Sequence, residues 1–302
     1  MSKAVPKAVT MMELPLVVGV DGSESSLRAM DWAVDEAALH GLPLRLVHAF
    51  LWERYEDIDL GSDLGRPSGR VLAENIVGSA VERAWRRNPA VRVSTELVPE
   101  EAVSALLLEG RNAAALVTGS RGRGELTGLL LGSVGLGVAA RAHCPVIVVR
   151  GDKVALEGTH ERILLGAGEP AVSGEAVRFA FREAAARAST LDVVRAWRCP
   201  AHETADHPAS ANEPARYHEE RASALLDAVV HDAVADHPDV RMRRTTVEGP
   251  ARKVLLHRSA AADLVVVGAR RRHGHFGLQL GRVGHTLLHH AGCPVAIVPQ
   301  PV

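Results

Sequence analysis

Thr118 to Gly135 read TGSRGRGELTGLLLGSVG, six glycines set between one apolar run and the next. Upstream, Ala114 to Val117 (AALV) has the make-up of a short buried strand, and downstream VGLGVAARAH opens a helix. The glycines therefore fill a strand-to-helix crossover, the place where α/β proteins hold phosphate. Glycine lacks Cβ and accepts positive φ, so backbone N–H groups can approach a polyphosphate closely. Gly119, Ser120, Arg121 and Gly122 begin this excursion and Gly132 and Ser133 end it. There the Ser133 amide and hydroxyl, with a helix N-terminus, complete an anion site.

The same stretch is written twice. VVGARRRHGHFGLQLGRVG (266–284) repeats VTGSRGRGELTGLLLGSVG (117–135), with Gly119 over Gly268 and Gly132 over Gly281 at an offset of 149, which also carries Cys144-Pro145-Val146 onto Cys293-Pro294-Val295. Nearer the front the offset is 147, placing LVVGVDGS (16–23) over ILLGAGEP (163–170) and LVHAF (46–50) over VVRAW (193–197). Each half reads as alternating strands and helices, the strands near 16–20, 44–49, 91–97, 114–119 and 145–149, then 163–166, 191–196, 240–247, 263–268 and 294–298. These are unbroken Val/Leu/Ile runs, as parallel strands covered on both faces require. In 24–40, Leu27, Met30, Ala33, Val34, Ala37 and Ala38 recur at helical spacing. The pattern predicts an α/β fold of two doubly wound parallel sheets, domains at 14–150 and 161–300, and a linker over 151–161. Residues 53–70 and 198–216, rich in Pro, Gly, Ser and acid, are expected to be connections.

Composition narrows the function classes. Lys+Arg 35 balance Asp+Glu 36, so no global field draws the chain to nucleic acid or to a membrane surface. Aromatic residues make up only 3%, too few for a single-strand stacking platform. Cys144, Cys199 and Cys293 form neither a CxxC nor a zinc spacing, which suits a reducing cytoplasm. Pro6, Glu13, Pro15 and Asp21 interrupt any signal-like core, and Arg141, His143 and the glycines interrupt the apolar stretch 126–149. A cytoplasmic protein without nucleic-acid or membrane partners is the expectation.

GVDGS (19–23) closes the first strand, and in such a sheet ligands sit at the carboxyl ends of strands, where strand order reverses. Asp21 can accept bonds from a ribose hydroxyl or a base amine there; alternatively Asp21 or Ser23 caps helix 24–40. GxxxxGK[ST] is missing, and GSRGRG follows the fourth strand rather than the first with no ribose-binding acid after it, which argues against a Walker NTPase and a dehydrogenase.

Gly119, Gly122, Gly132 and Ser133 spell G-x2-G-x9-G-S, preceded by GVDGSESS and followed by HCPVIVV. This half resembles a universal stress protein domain, and the resemblance covers nearly the whole chain as a tandem. It implies Rossmann-like sheets of order 3-2-1-4-5, the adenine nucleotide alpha hydrolase-like arrangement, and bound ATP, with Mg²⁺ as a companion. By the same resemblance, Asp21 at the end of Gly19-Val20-Asp21 contacts the adenosine, Gly119 to Arg123 wrap the phosphates, Gly132, Ser133 and Val134 hold the terminal phosphates, and the Ala49 backbone faces the adenine. It also implies that the last strands, 146–149 and 295–299, pair into an internal pseudo-dimer, with homo-oligomers beyond it. Glu125, where many relatives carry glycine, is expected to turn away from the phosphates.

The second half departs from the motif. Asp21 is matched by Gly168, Gly122 by Arg271 and Ser133 by Arg282, so the fold is expected without the standard nucleotide site. Two side readings are an anion site of Arg270, Arg271, Arg272 and Arg282, and a metal site at His285 and His289, one helical turn apart but with no Cys or carboxylate to complete it. His273, His275 and His290 add no ligand set. The function expected is a nucleotide-dependent stress regulator with an unknown protein partner and no catalytic residues; the alternatives are an ATP-hydrolysing or adenylate-transferring enzyme, or a nucleotide-free scaffold.

Overall fold

The computed structural model describes residues 14–51, 69–122, 131–169, 173–199, 212–270 and 280–300. In the first half β1 (Leu16–Gly19), α1 (Glu24–His40), β2 (Leu44–Ala49), α2 (Gly69–Arg87), β3 (Val93–Val98), α3 (Ala102–Glu109), β4 (Ala115–Gly119), α4 (Ser133–Arg141) and β5 (Val146–Val149) follow one another. A short α5 (Lys153–Leu156) leads to β6 (Arg162–Gly166), α6 (Gly174–Ala186), β7 (Thr190–Trp197), α7 (Asn212–Asp236), β8 (Met242–Glu248), α8 (Ala251–Ser259), β9 (Leu264–Arg270), α9 (Arg282–His290) and β10 (Val295–Gln300).

Each half has the order 3-2-1-4-5, all parallel, but the two sheets are one: ten strands in the order β3-β2-β1-β4-β5-β10-β9-β6-β7-β8. The join is the antiparallel pair β5–β10, with Val148 opposite Val295, Ile147 opposite Ala296 and Val146 opposite Ile297. Pairing the two last strands satisfies backbone groups that each half would otherwise leave open at an edge. Arg150 tightens the join, its Nε donating to the Ala291 carbonyl at 2.8 Å and a terminal nitrogen to the Leu288 carbonyl at the end of α9.

The apolar runs face both ways. Leu16 and Val18 of β1, with Ile147 and Val149 of β5, pack under α1, α2, α6 and α7, whereas Val17, Val146 and Val148 pack under α3, α4, α8 and α9. Strands at the two ends of the sheet differ from the buried-run expectation: β3 (VSTELV) and β8 (MRRTTVE) leave Ser94, Thr95, Glu96, Arg243 and Arg244 exposed. Charge along an outer strand discourages pairing with another molecule. Within the linker Asp152 accepts a bond from the Ala155 N–H at 3.0 Å and starts α5.

Candidate functional site

The β1–α1 turn is built by short polar side chains. Ser23 is the N-cap of α1, its Oγ accepting from the Ser26 N–H at 3.2 Å. Asp21 is not the cap: its Oδ1 accepts from the Ser23 N–H at 2.9 Å, which holds the carboxylate at the mouth of the crevice. The buried His48 fastens β2 to the same turn, its Nδ1–H donating to the Val20 carbonyl at 2.7 Å.

The glycine loop then approaches this turn. A Cβ on Gly119 would stand 2.7 Å from the carbonyl carbon, carbonyl oxygen and Oγ of Ser25, so only glycine lets β4 end against the first turn of α1. Ser25 Oγ accepts from the Arg121 N–H at 3.1 Å, and the Ser120 carbonyl accepts from the Gly132 N–H at 2.8 Å. These two bonds bring both ends of the excursion together. Opposite, a Cβ on Gly122 would lie 2.9 Å from Asp21 Oδ2. The loop and the carboxylate thus meet across the crevice.

Between them lies a cavity of about 450 Å³ at the carboxyl ends of β1, β2 and β4. Of the residues singled out in the sequence, Gly19, Val20, Asp21, Ala49, Gly119, Arg121, Gly122, Gly132, Ser133 and Val134 line it. Ser120 takes part through its carbonyl rather than by lining the cavity, while Arg123 and Glu125 lie outside the described residues. One end is apolar, with Val47, Ala102 and Leu106; the other is backbone-rich and carries Arg121. That division suits a flat base at one end and an anion at the other.

Two donor groups at the loop side are without partners among the described residues. Gly132, the N-cap of α4, offers no side-chain bond to the first N–H groups of that helix. Thr118 Oγ1 is buried at the cavity wall without a hydrogen-bond partner among the described residues. Sequence reasoning missed Ser25 and Thr118. A serine inside ESS and a threonine ending a strand carry no local signal; their roles come from the approach of α1 to β4.

The corresponding strand ends of the second half carry different side chains. Gln300 is buried, its Oε1 accepting from the Glu175 N–H at 3.1 Å and its Nε2 donating to the Val298 carbonyl at 3.0 Å, and it packs against Gly268. Arg195 donates to the Gly168 carbonyl and to Glu169 at 2.6 Å. Gln300 is brought to this end by the two extra residues of β10, and Arg195 lies near the end of β7. Arg270 and Arg282 are exposed, and Arg271, Arg272, His273 and His275 lie outside the described residues. His285 and His289 stack at 4.4 Å, and burial with the neighbouring His285 and His290 charges lowers the His289 pKa. Neither joins a third donor among the described residues.

A family model described as the universal stress protein family matches residues 14–150 and 159–299. Universal stress protein Rv2623 of Mycobacterium tuberculosis is 31% identical over 296 residues, spanning 95% of this chain and 97% of its own length. Universal stress protein Rv2005c of the same organism is 34% identical over 292 residues, spanning 94% and 97%. Among solved structures, a universal stress protein from Archaeoglobus fulgidus superposes with a TM-score of 0.69 at 16% identity, covering 96% of this chain and 99% of that one. That likeness is one of fold.

Proposed function

Since the chain belongs to the universal stress protein family, we propose that it binds ATP in the first-half crevice and acts as a nucleotide-dependent regulator in stress response. The observation that carries this reading is the pairing of an uncapped α4 N-terminus with the Gly119–Gly122 loop across one cavity. The apolar end takes the adenine beside the Ala49 backbone, and Asp21 takes the ribose. The loop from Gly119 to Arg123 wraps the phosphates. Gly132, Ser133 and Val134 receive the terminal phosphates, with the Ser133 hydroxyl and the phosphates as the place for Mg²⁺. Thr118 gains the partner it lacks.

The division of labour goes with two domains, 14–150 carrying the nucleotide and 161–300 keeping the fold without the standard site, since Gly168, Arg271 and Arg282 stand at the motif positions. Asp21 is the one carboxylate lining the cavity among the described residues, and it is engaged with the Ser23 N–H. The reading is accordingly a binder whose occupancy is sensed by a protein partner, in the cytoplasm and as a homo-oligomer. No helix among the described residues is long and apolar enough to cross a membrane.

Native mass spectrometry of the gently purified chain tests it. One ATP-sized adduct per chain is expected, lost in a Gly122→Arg, Ser133→Arg variant that still folds. Two adducts would overturn the loss of the second site, and no adduct with added Mg-ATP would overturn the proposal.

A further inference from the structure

The two halves also meet on the α1–α6 face, away from the nucleotide cavity. Glu36 and His40 of α1 converge there with Glu183 of α6 and with Arg187, which follows α6 directly. The two carboxylates are 4% and 6% exposed. Arg187 donates to Glu36 Oε2, and its Nε lies 3.4 Å from Glu183 Oε2. Glu36 Oε1 lies 3.4 Å from His40 Nε2, and Glu183 presents both of its oxygens to the same nitrogen, Oε1 at 3.3 Å and Oε2 at 3.4 Å.

Three oxygens, one of Glu36 and both of Glu183, thus converge on one ring nitrogen, which has at most a single proton to donate. The separations exceed the roughly 2.7–2.9 Å of a charge-assisted N–H···O bond. They match another geometry. A tetrahedral ion bonded to nitrogen and oxygen at about 2.05 Å keeps its ligand atoms about 3.3–3.4 Å apart. Arg187 completes the pattern from outside, donating to Glu36 Oε2 and lying within ion-pair range of Glu183 while its guanidinium sits over the Trp32 ring at 5.6 Å. Glu36 and Trp32 line a second cavity, of about 490 Å³, to which Glu157 and Glu161 add negative charge.

We propose that Glu36, His40 and Glu183 form a Zn²⁺ site between the two halves, with three protein ligands and one water. One imidazole and two carboxylates are a donor set Zn²⁺ accepts. The three side chains lie close enough for one ion to meet a ligand atom from each, all within 4.8 Å of one another. Without metal, a proton on Nε2 can bond only one of the facing oxygens at a time. Binding places the lone pair of Nε2 on the ion and releases that proton to solvent. The ion then clamps α1 to α6.

The test is titration of metal-free, full-length protein with Co²⁺, read by visible absorption, followed by displacement with Zn²⁺. One Co²⁺ per chain with the intense bands of tetrahedral coordination, bleached by one equivalent of Zn²⁺, is expected. His40→Gln and Glu183→Gln should each bind at least about 100-fold more weakly, while a His285→Gln, His289→Gln control should bind like the parent chain. Added Zn²⁺ should raise the thermal midpoint of the parent and leave that of folded His40→Gln unmoved. A folded parent chain without tetrahedral bands would overturn the site and leave an ion cluster only. So would bands that survive His40→Gln and vanish with His285 and His289. The parent titration decides the matter even if a variant fails to fold.

Discussion

Gly119 and Gly122 stand three residues apart and respond differently to an added methyl group. At Gly119 the methyl meets Ser25 backbone at 2.7 Å, so α1 or β4 must shift; at Gly122 it meets only Asp21 Oδ2, the end of a side chain that can swing, at 2.9 Å. Gly119→Ala is expected to cost about 1–3 kcal/mol in urea unfolding. Gly122→Ala should stay within about 0.5 kcal/mol yet weaken ATP at least tenfold by calorimetry, because the methyl and the displaced Asp21 both intrude on the crevice. Equal stability losses would show that the two glycines do the same work. The glycines themselves were legible in the sequence, since their chemistry is local. Ser25 was not: it supports the loop from 96 residues away, and nothing in ESS distinguishes that hydroxyl from an ordinary helix-start serine.

At the scale of elements, α1 and α4 begin in opposite ways. Ser23 caps α1, and Ser23→Ala should destabilise the chain by about 1 kcal/mol in equilibrium denaturation. Gly132 leaves α4 uncapped although its φ of −72° and ψ of 152° are those an N-cap aspartate adopts, and a Cβ there meets nothing nearer than 3.6 Å. Gly132→Asp is therefore expected to stabilise the fold by about 0.5–1 kcal/mol and to abolish nucleotide binding, the new carboxylate taking the N–H groups and repelling phosphate. A variant that is stabilised and still binds ATP would sink the assignment of α4 as the anion receptor. Strand positions were readable because both faces of the inner strands are covered, which makes them uniform apolar runs. The outer strands β3 and β8 were harder to place to the residue, since one face of each meets water and charged residues enter the run. In the second half the loss of the motif was visible, but Gln300 comes to pack against Gly268 because β10 runs on to pair with Arg270, a register that no local pattern encodes.

Across the whole molecule the decisive contacts join residues that are far apart in sequence. His40 meets Glu183 across 143 positions and Arg150 reaches Ala291 across 141, so pattern reading could propose that the halves pair but not what locks them. The lock has three parts: the β5–β10 ladder at the centre of the sheet, Arg150 on one face, and the Glu36–His40–Glu183–Arg187 cluster on the other. One apolar layer also runs from Leu16 through Ile147 to Ala296 and Ile163 without a break. Two domains so joined should unfold together, giving a single transition in urea by both fluorescence and circular dichroism. Ile147, 1% exposed and opposite Ala296, sits at the middle of the ladder. Ile147→Asp buries an unpaired carboxylate there, at a cost of about 4 kcal/mol, and weakens the one strand pair that couples the halves. The expected result is two transitions where the parent shows one, because β1 to β4 and β6 to β9 keep their own partners in each half. Two transitions in the parent chain would mean that the seam is a contact between independent domains; a single, merely earlier transition in the variant would mean that the helical faces suffice to hold the ten strands as one unit.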